Sequence, residues 1–140
     1  MERGALLDTH VLLWALSSPD RLPRAMLDLI SDEATPIYFS AASIWEVAIK
    51  HSLRRPDFSR EPAELARDSR DFGFVELVVT SDVASRVATL PRFHADPFDR
   101  LIVAQAQARD ILLPTVDRTL SDYNSHVRLL GPGPSRVSRP

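Results

Sequence analysis

Residues 94–108, HADPFDRLIVAQAQA, constrain the fold more than any other stretch of this chain. Asp96-Pro97-Phe98-Asp99 has the form of a helix start: a capping Asp, Pro at the first helical position and an acid in the first turn. From Leu101 to Ala108 the side chains are apolar or small on nearly every side, apart from Gln105 and Gln107. A helix of that kind is buried on more than one face, so it belongs inside a layered structure. Asp99 then stands at the mouth of a buried helix, where a carboxylate is costly unless something offsets its charge. The plain alternative is that the helix dipole stabilises a first-turn acid by about 0.3–1 kcal/mol with no function attached. Asp96 reads first as a cap.

Short apolar runs alternating with helical patterns supply the layers around that helix. Gly4 to Leu7 runs into Asp8, and Thr9 is expected to cap a helix over residues 10–16 that Ser17-Ser18-Pro19 stops. Leu22, Met26, Leu29 and Ile30 share one face of a second helix ending near Glu33. After Pro36 comes a strand at residues 37–39. Ser40 or Ser43 then opens a helix running to about Leu53, with Ile44, Val47, Ala48 and His51 on one stripe. Within it, Ser43 and Glu46 match a capping box, and Glu46 with Lys50 a favourable i,i+4 ion pair. A fourth helix spans residues 61–72, closed by Gly73, and a strand follows at 75–79. Thr80 or Ser81 caps a helix to Leu90. Beyond the central helix lie a strand at 111–116 ending at Asp117, a helical stretch at 118–123 and a last strand at 127–130. The alternation predicts an α/β domain over residues 1–130, with a mainly parallel central sheet of four to five short strands flanked by helices. Residues 131–140, with two Gly and three Pro, read as a disordered tail.

Four acids draw together in that topology. Asp8 and Asp117 end strands, and ligands of parallel sheets bind beyond the carboxyl ends of strands. Glu46 and Asp99 lie in early turns of helices that start on the same side. Converging like charges repel, and a divalent cation is the obvious remedy. With no cysteine in the chain only oxygen ligands are on offer, which points to the hard ions Mg²⁺ or Mn²⁺.

Composition adds bounds rather than an answer. The chain has 140 residues, 44% hydrophobic and 26% charged, which suits one ordinary globular domain. Its apolar runs are too short to span a bilayer, and Asp8 and His10 interrupt any signal-peptide pattern, so a cytoplasmic protein with no membrane partner is expected. The net charge of −2 neither requires nor excludes a nucleic-acid partner. Of 17 basic residues only Lys50 is not arginine; arginine suits bidentate phosphate contacts, and genome composition explains the bias equally well.

Four segments together resemble the PIN-domain ribonucleases of VapC type, the toxins of bacterial type II toxin–antitoxin systems. They are LLDTHVLLWAL at 6–16, SAASIWEVAIK at 40–50, HADPFDRLIVAQA at 94–106 and TVD at 115–117. The resemblance implies a PIN-like three-layer domain and a divalent-metal-dependent endoribonuclease with Asp8, Glu46, Asp99 and Asp117 as its acidic set. Asp8 and Asp99 would be direct ligands, with Glu46 and Asp117 acting directly or through water. Thr9 fits the polar residue that supports the first Asp, and Asp96 is an auxiliary. Arg100 and Arg118 are weighed as RNA phosphate contacts against plain surface arginines, and His94 as a loop histidine near the site. The implied partners are RNA, a second copy of the chain, and a cognate antitoxin that covers the acids with a basic side chain and lays a helix in an apolar groove. Trp14 and Trp45 are candidates for that groove, although core packing is the commoner fate of tryptophan. The alternative function is a catalytically silent PIN-like binding module. A response-regulator receiver does not fit, because paired acids after the first strand and a late lysine are missing.

Overall fold

Five three- or four-residue strands carry the fold: β1 (Ala5–Leu7), β2 (Ile37–Ser40), β3 (Val75–Leu77), β4 (Leu113–Thr115) and β5 (Val127–Leu129). The computed structural model describes residues 3–93, 95–123 and 125–131, so His94 and the expected tail beyond Gly131 lie outside the described residues. β1 pairs with β2, β2 with β3 and β4 with β5, all parallel, with Leu7 opposite Phe39, Ser40 opposite Leu77 and Leu113 opposite Val127. A parallel bridge between Ala5 and Leu112 joins the two ladders, where Leu6 N–H donates to the Leu112 carbonyl at 2.8 Å and Leu112 N–H to that of Gly4 at 3.2 Å. The spatial order is therefore β3-β2-β1-β4-β5, within the expected four to five parallel strands.

Pro114 explains why the β1–β4 seam is so short. Leu113 N–H donates to the His126 carbonyl on the β5 side, so in the alternating pattern of a strand residue 114 would donate toward β1. Proline has no N–H to give. The seam stops there and leaves β1 and β4 unjoined at their carboxyl ends, which is also where the strand order reverses. Gly4 matters at the other end of β1. It sits at φ 92°, and a Cβ there would stand 2.5 Å from the Pro36 oxygen that accepts from Ala5 N–H.

Alternation along each strand divides the core in two. Ala5, Leu7, Ile37 and Phe39 pack with α1 (Thr9–Ser17), α2 (Arg24–Ser31), α3 (Ala41–Ser52) and α4 (Pro62–Asp71). Leu6, Leu77 and Leu113 pack with α5 (Ser81–Arg86) and α6 (Pro97–Arg109). Helices on both faces make three layers, and near-continuous apolar strands are what burial on both faces demands. As expected, α6 is buried on several sides: Ile102, Val103, Ala104 and Ala106 are fully buried. Buried Gln105 is satisfied by accepting from the Ser40 hydroxyl and donating to the Val78 carbonyl at 3.3 Å.

Several local expectations change. Asp8, not Thr9, caps α1, accepting from Val11 N–H at 3.0 Å. Ser40 caps α3 through Ala42 N–H, and Ser43 is no capping-box partner because its oxygen accepts from the Thr9 hydroxyl at 2.9 Å. Pro23 splits the second helix into a 3₁₀ turn, Pro19–Arg21, and α2. The segment after Thr80 is α5 followed by a 3₁₀ turn, Val87–Thr89, and β3 ends at Leu77.

Arg100 departs from both readings given to it, since it is buried and its guanidinium is taken up by protein acceptors. Its guanidinium donates to the carbonyls of Val87 at 2.8 Å and Pro91 at 2.9 Å and to the Tyr123 hydroxyl at 3.3 Å. It thereby ties the Val87–Thr89 turn to α6. Arg118 is exposed, in keeping with a surface arginine.

Candidate active site

A cleft of about 870 Å³ opens at the carboxyl edge of β1 and β4, at the place where the strand order reverses. Asp8, Thr9, Glu46, Asp96, Asp99 and Asp117, the six residues singled out from the sequence, all line it. Asp8 arrives on the end of β1, Asp117 two residues beyond β4, Glu46 on α3 and Asp99 in the first turn of α6. Asp96 caps α6, its carboxylate accepting from Phe98 N–H at 2.8 Å and Asp99 N–H at 3.3 Å.

Asp8 is held hardest. One carboxylate oxygen takes the Val11 amide, and the other accepts from the Thr115 hydroxyl at 2.7 Å. Thr115 is itself fully buried and accepts from Asp117 N–H at 3.0 Å, so one hydroxyl sets both acids. Thr115 was missed from sequence; its only signal is its place two residues before Asp117 at a strand end. The support expected of Thr9 comes from Thr115 instead, because the Thr9 hydroxyl is engaged with Ser43.

Crowding of like charges shows in the electrostatics. Burial first, then Asp8, Asp96, Glu46 and Asp117, pushes the Asp99 carboxyl up to about 8. Burial also raises Asp8, against the lowering effect of the Val11 and Thr115 hydrogen bonds, and Asp117 adds to the rise. That carboxylates destabilise one another in this way is what distinguishes a ligand-holding set from a set of helix caps.

The acids have a cation among them. Lys50 Nζ lies 2.7 Å from Glu46 Oε2, and the ring faces of Phe58 and Phe98 flank the ammonium at 5.0 and 5.9 Å. The expected i,i+4 pair therefore forms, inside the cleft rather than on a solvated helix face. Glu46 Oε1 is buried with no hydrogen-bond partner among the described residues, an acceptor left over at the cleft wall. An oxygen-only donor set with an unused buried acceptor fits a hard divalent ion. Among the described residues, no three acidic or histidine side chains already stand close enough to form a ready coordination shell.

Neither tryptophan is fully buried, although Trp14 packs against the first core. Trp14 is half-buried on the cleft wall under the Arg21 guanidinium, 4.5 Å from the ring centroid. Trp45 is 58% exposed and meets Phe98 edge-on at 5.1 Å. No helix among the described residues is long and apolar enough to cross a membrane.

Comparison with known proteins gives the family of this fold. Residues 5–125 match the PIN domain. Ribonuclease VapC22 of Mycobacterium tuberculosis is 32% identical over 123 residues, which covers 84% of this chain and 90% of that protein. Among solved structures, a toxin–antitoxin complex from Klebsiella pneumoniae superposes with a TM-score of 0.61 at 21% identity, covering 89% of this chain and 96% of the other. VapBC2 from Rickettsia felis, bound to a DNA fragment from its promoter, gives 0.65 at 14% identity over 91% and 98%. With the match spanning all but the ends of the chain, this protein belongs to the PIN-domain family.

Proposed function

We propose that this chain is a divalent-metal-dependent endoribonuclease, the toxin member of a toxin–antitoxin pair, with residues 1–130 as its nuclease domain. The observation that carries the reading is the cleft at the β1–β4 reversal, where Asp8, Glu46, Asp99 and Asp117 face common space and where burial, then the neighbouring acids, raises the Asp99 carboxyl to about 8. Likeness to a curated ribonuclease over most of both chains supports RNA as the substrate. The toxin–antitoxin complexes among the structural neighbours support an antitoxin partner. A cytoplasmic site of action is part of the same proposal.

Hydrolysis requires a water oxygen to form a bond to phosphorus while the ester P–O bond breaks and the leaving oxygen gains a proton. Asp8 and Asp99 would hold a Mg²⁺, or a Mn²⁺, with Glu46 and Asp117 completing the shell directly or through water. Bound there, such an ion lowers the pKa of water and offsets charge on the nonbridging phosphate oxygens. The chain's own part is orientation. Thr115 and the Val11 amide fix the Asp8 carboxylate, Thr115 also places the backbone of Asp117, and Asp96 fixes the first turn that carries Asp99. The unused Glu46 oxygen stays available while Lys50 neutralises its partner.

The test is cleavage of structured RNAs by the purified chain with Mg²⁺, with Mn²⁺ and with EDTA. Cleavage with either ion and none with EDTA is expected. An absence of cleavage under all three conditions would leave the silent binding module as the better account.

A further inference from the structure

Glu46 and Lys50 stand one turn apart on α3, and pairs of that kind on helix surfaces are loose contacts that salt screens. This pair is not at the surface. The Glu46 side chain is 4% exposed and that of Lys50 20%, with Nζ 2.7 Å from Oε2. The ammonium is also held from outside α3, by the buried Phe58 ring at 5.0 Å and the Phe98 ring at 5.9 Å. Ring faces attract a cation without offering it a second anion, so they keep Nζ beside Oε2. The two oxygens of Glu46 are therefore unlike. Oε2 accepts from Lys50, whereas Oε1 is buried at the cleft wall with no hydrogen-bond partner among the described residues.

We propose that Lys50 sets the ion selectivity of this site: by occupying Oε2 it makes Glu46 a one-oxygen donor, which disfavours Ca²⁺ relative to Mg²⁺ and Mn²⁺. This rests on the metal-dependent nuclease reading and adds the residue that chooses among divalent ions. Mg²⁺ demands a compact octahedral shell, whereas Ca²⁺ takes about six to eight oxygens and accepts both oxygens of one carboxylate. An ion that takes both Glu46 oxygens has to displace Lys50 from the carboxylate and from two ring faces. An ion satisfied by Oε1 leaves the pair in place. Charge alone makes no such choice, because the ammonium repels every divalent ion alike. Lys50 acts through Glu46 and is a positioning residue, so its signature is a ratio of affinities rather than one affinity.

Mn²⁺ is titrated calorimetrically into the purified wild-type chain and into Lys50→Met, and Mg²⁺ and Ca²⁺ are measured by displacement of Mn²⁺. Lys50→Met is expected to raise the affinity for Ca²⁺ about 10-fold more than that for Mg²⁺, within the range by which outer partners tune a metal site. Removing Lys50 leaves a buried carboxylate without its counter-ion, which threatens the fold, so circular dichroism accompanies the titration. Phe98→Leu keeps the charge and removes one ring; there Ca²⁺ should gain about 3-fold over Mg²⁺, the equivalent of one cation–π contact. Equal shifts for all three ions in folded Lys50→Met reduce Lys50 to a counter-charge and overturn the proposal while the nuclease reading stands. Unchanged affinities make the pair structural and overturn it as well. Should Lys50→Met not fold, an unmoved ratio in Phe98→Leu alone overturns it. A wild type that binds none of the three ions and cleaves no RNA overturns the proposal together with the nuclease reading, so the two failures are distinct.

Discussion

At the scale of single residues, Asp99 separates a metal site from a collection of helix caps. Its folded value of about 8 lies far above the roughly 3.9 of an unfolded Asp, so the folded state binds this proton more tightly. Stability from that group is complete below the unfolded value and is lost as pH rises through the folded one. The metal-free protein should therefore melt progressively lower between about pH 5 and pH 8, and Asp99→Asn should flatten that slope and melt higher in EDTA at pH 7. Mg²⁺ should raise the wild-type midpoint by mass action and the variant's much less. A lower-melting, Mg²⁺-indifferent variant would reduce Asp99 to a first-turn acid. Asp8→Asn keeps a good helix cap, so circular dichroism should stay native while RNA cleavage is abolished. Asp96→Asn, also a conserved cap in chemical terms, should be much milder. Thr115→Val removes the hydroxyl that orients Asp8 at nearly constant volume. Mn²⁺ affinity measured by calorimetry should weaken about 10- to 100-fold, as for other outer supports of metal ligands; an unchanged affinity would make Thr115 a packing residue only.

Among the elements, α6 does two jobs that local propensity would not combine. Its middle fills the second core, while its first turn delivers Asp99 to the cleft. The helix is anchored by Arg100, whose buried guanidinium satisfies carbonyls at the end of the segment before it. Arg100→Met should cost about 2–3 kcal/mol in urea unfolding, because it strands those acceptors as well as losing charged hydrogen bonds. A loss below 0.5 kcal/mol would mean that water replaces the guanidinium without penalty. The seam between β1 and β4 has the opposite character. Pro114 withholds a donor, the strands part, and just beyond the seam the Asp8 carboxylate accepts from the Thr115 hydroxyl.

For the whole molecule the reversal of strand order between β1 and β4 creates the crevice, and the two core layers hold its walls apart. The toxin reading predicts that a small protein from the neighbouring reading frame co-purifies with this chain and suppresses its cleavage. Sedimentation at micromolar concentration should give a dimer. A monomer at that concentration would contradict the homodimer, and a neighbouring protein that binds without inhibiting would detach the toxin role from the nuclease.

What the amino-acid sequence determined by itself was local and periodic. The runs at β1, β2 and β4, the amphipathic or greasy character of each helix, the Asp-Pro start of α6 and the acids Asp8, Asp99 and Asp117 at element ends are all written within a few residues of one another. Short-range sterics, capping and hydrophobic period act over that distance, so they were legible. Tertiary structure decided the rest, because partner choice depends on register and packing between segments far apart. Thr115 reaches Asp8 across 107 positions, and Thr9 turns to Ser43 across 34. Arg100, whose type suggests a surface, is buried because carbonyls of the preceding turn converge on it. Lys50 read as half of an i,i+4 helix ion pair; only the packing of α3 beside α6 makes it a cation within the acid cleft.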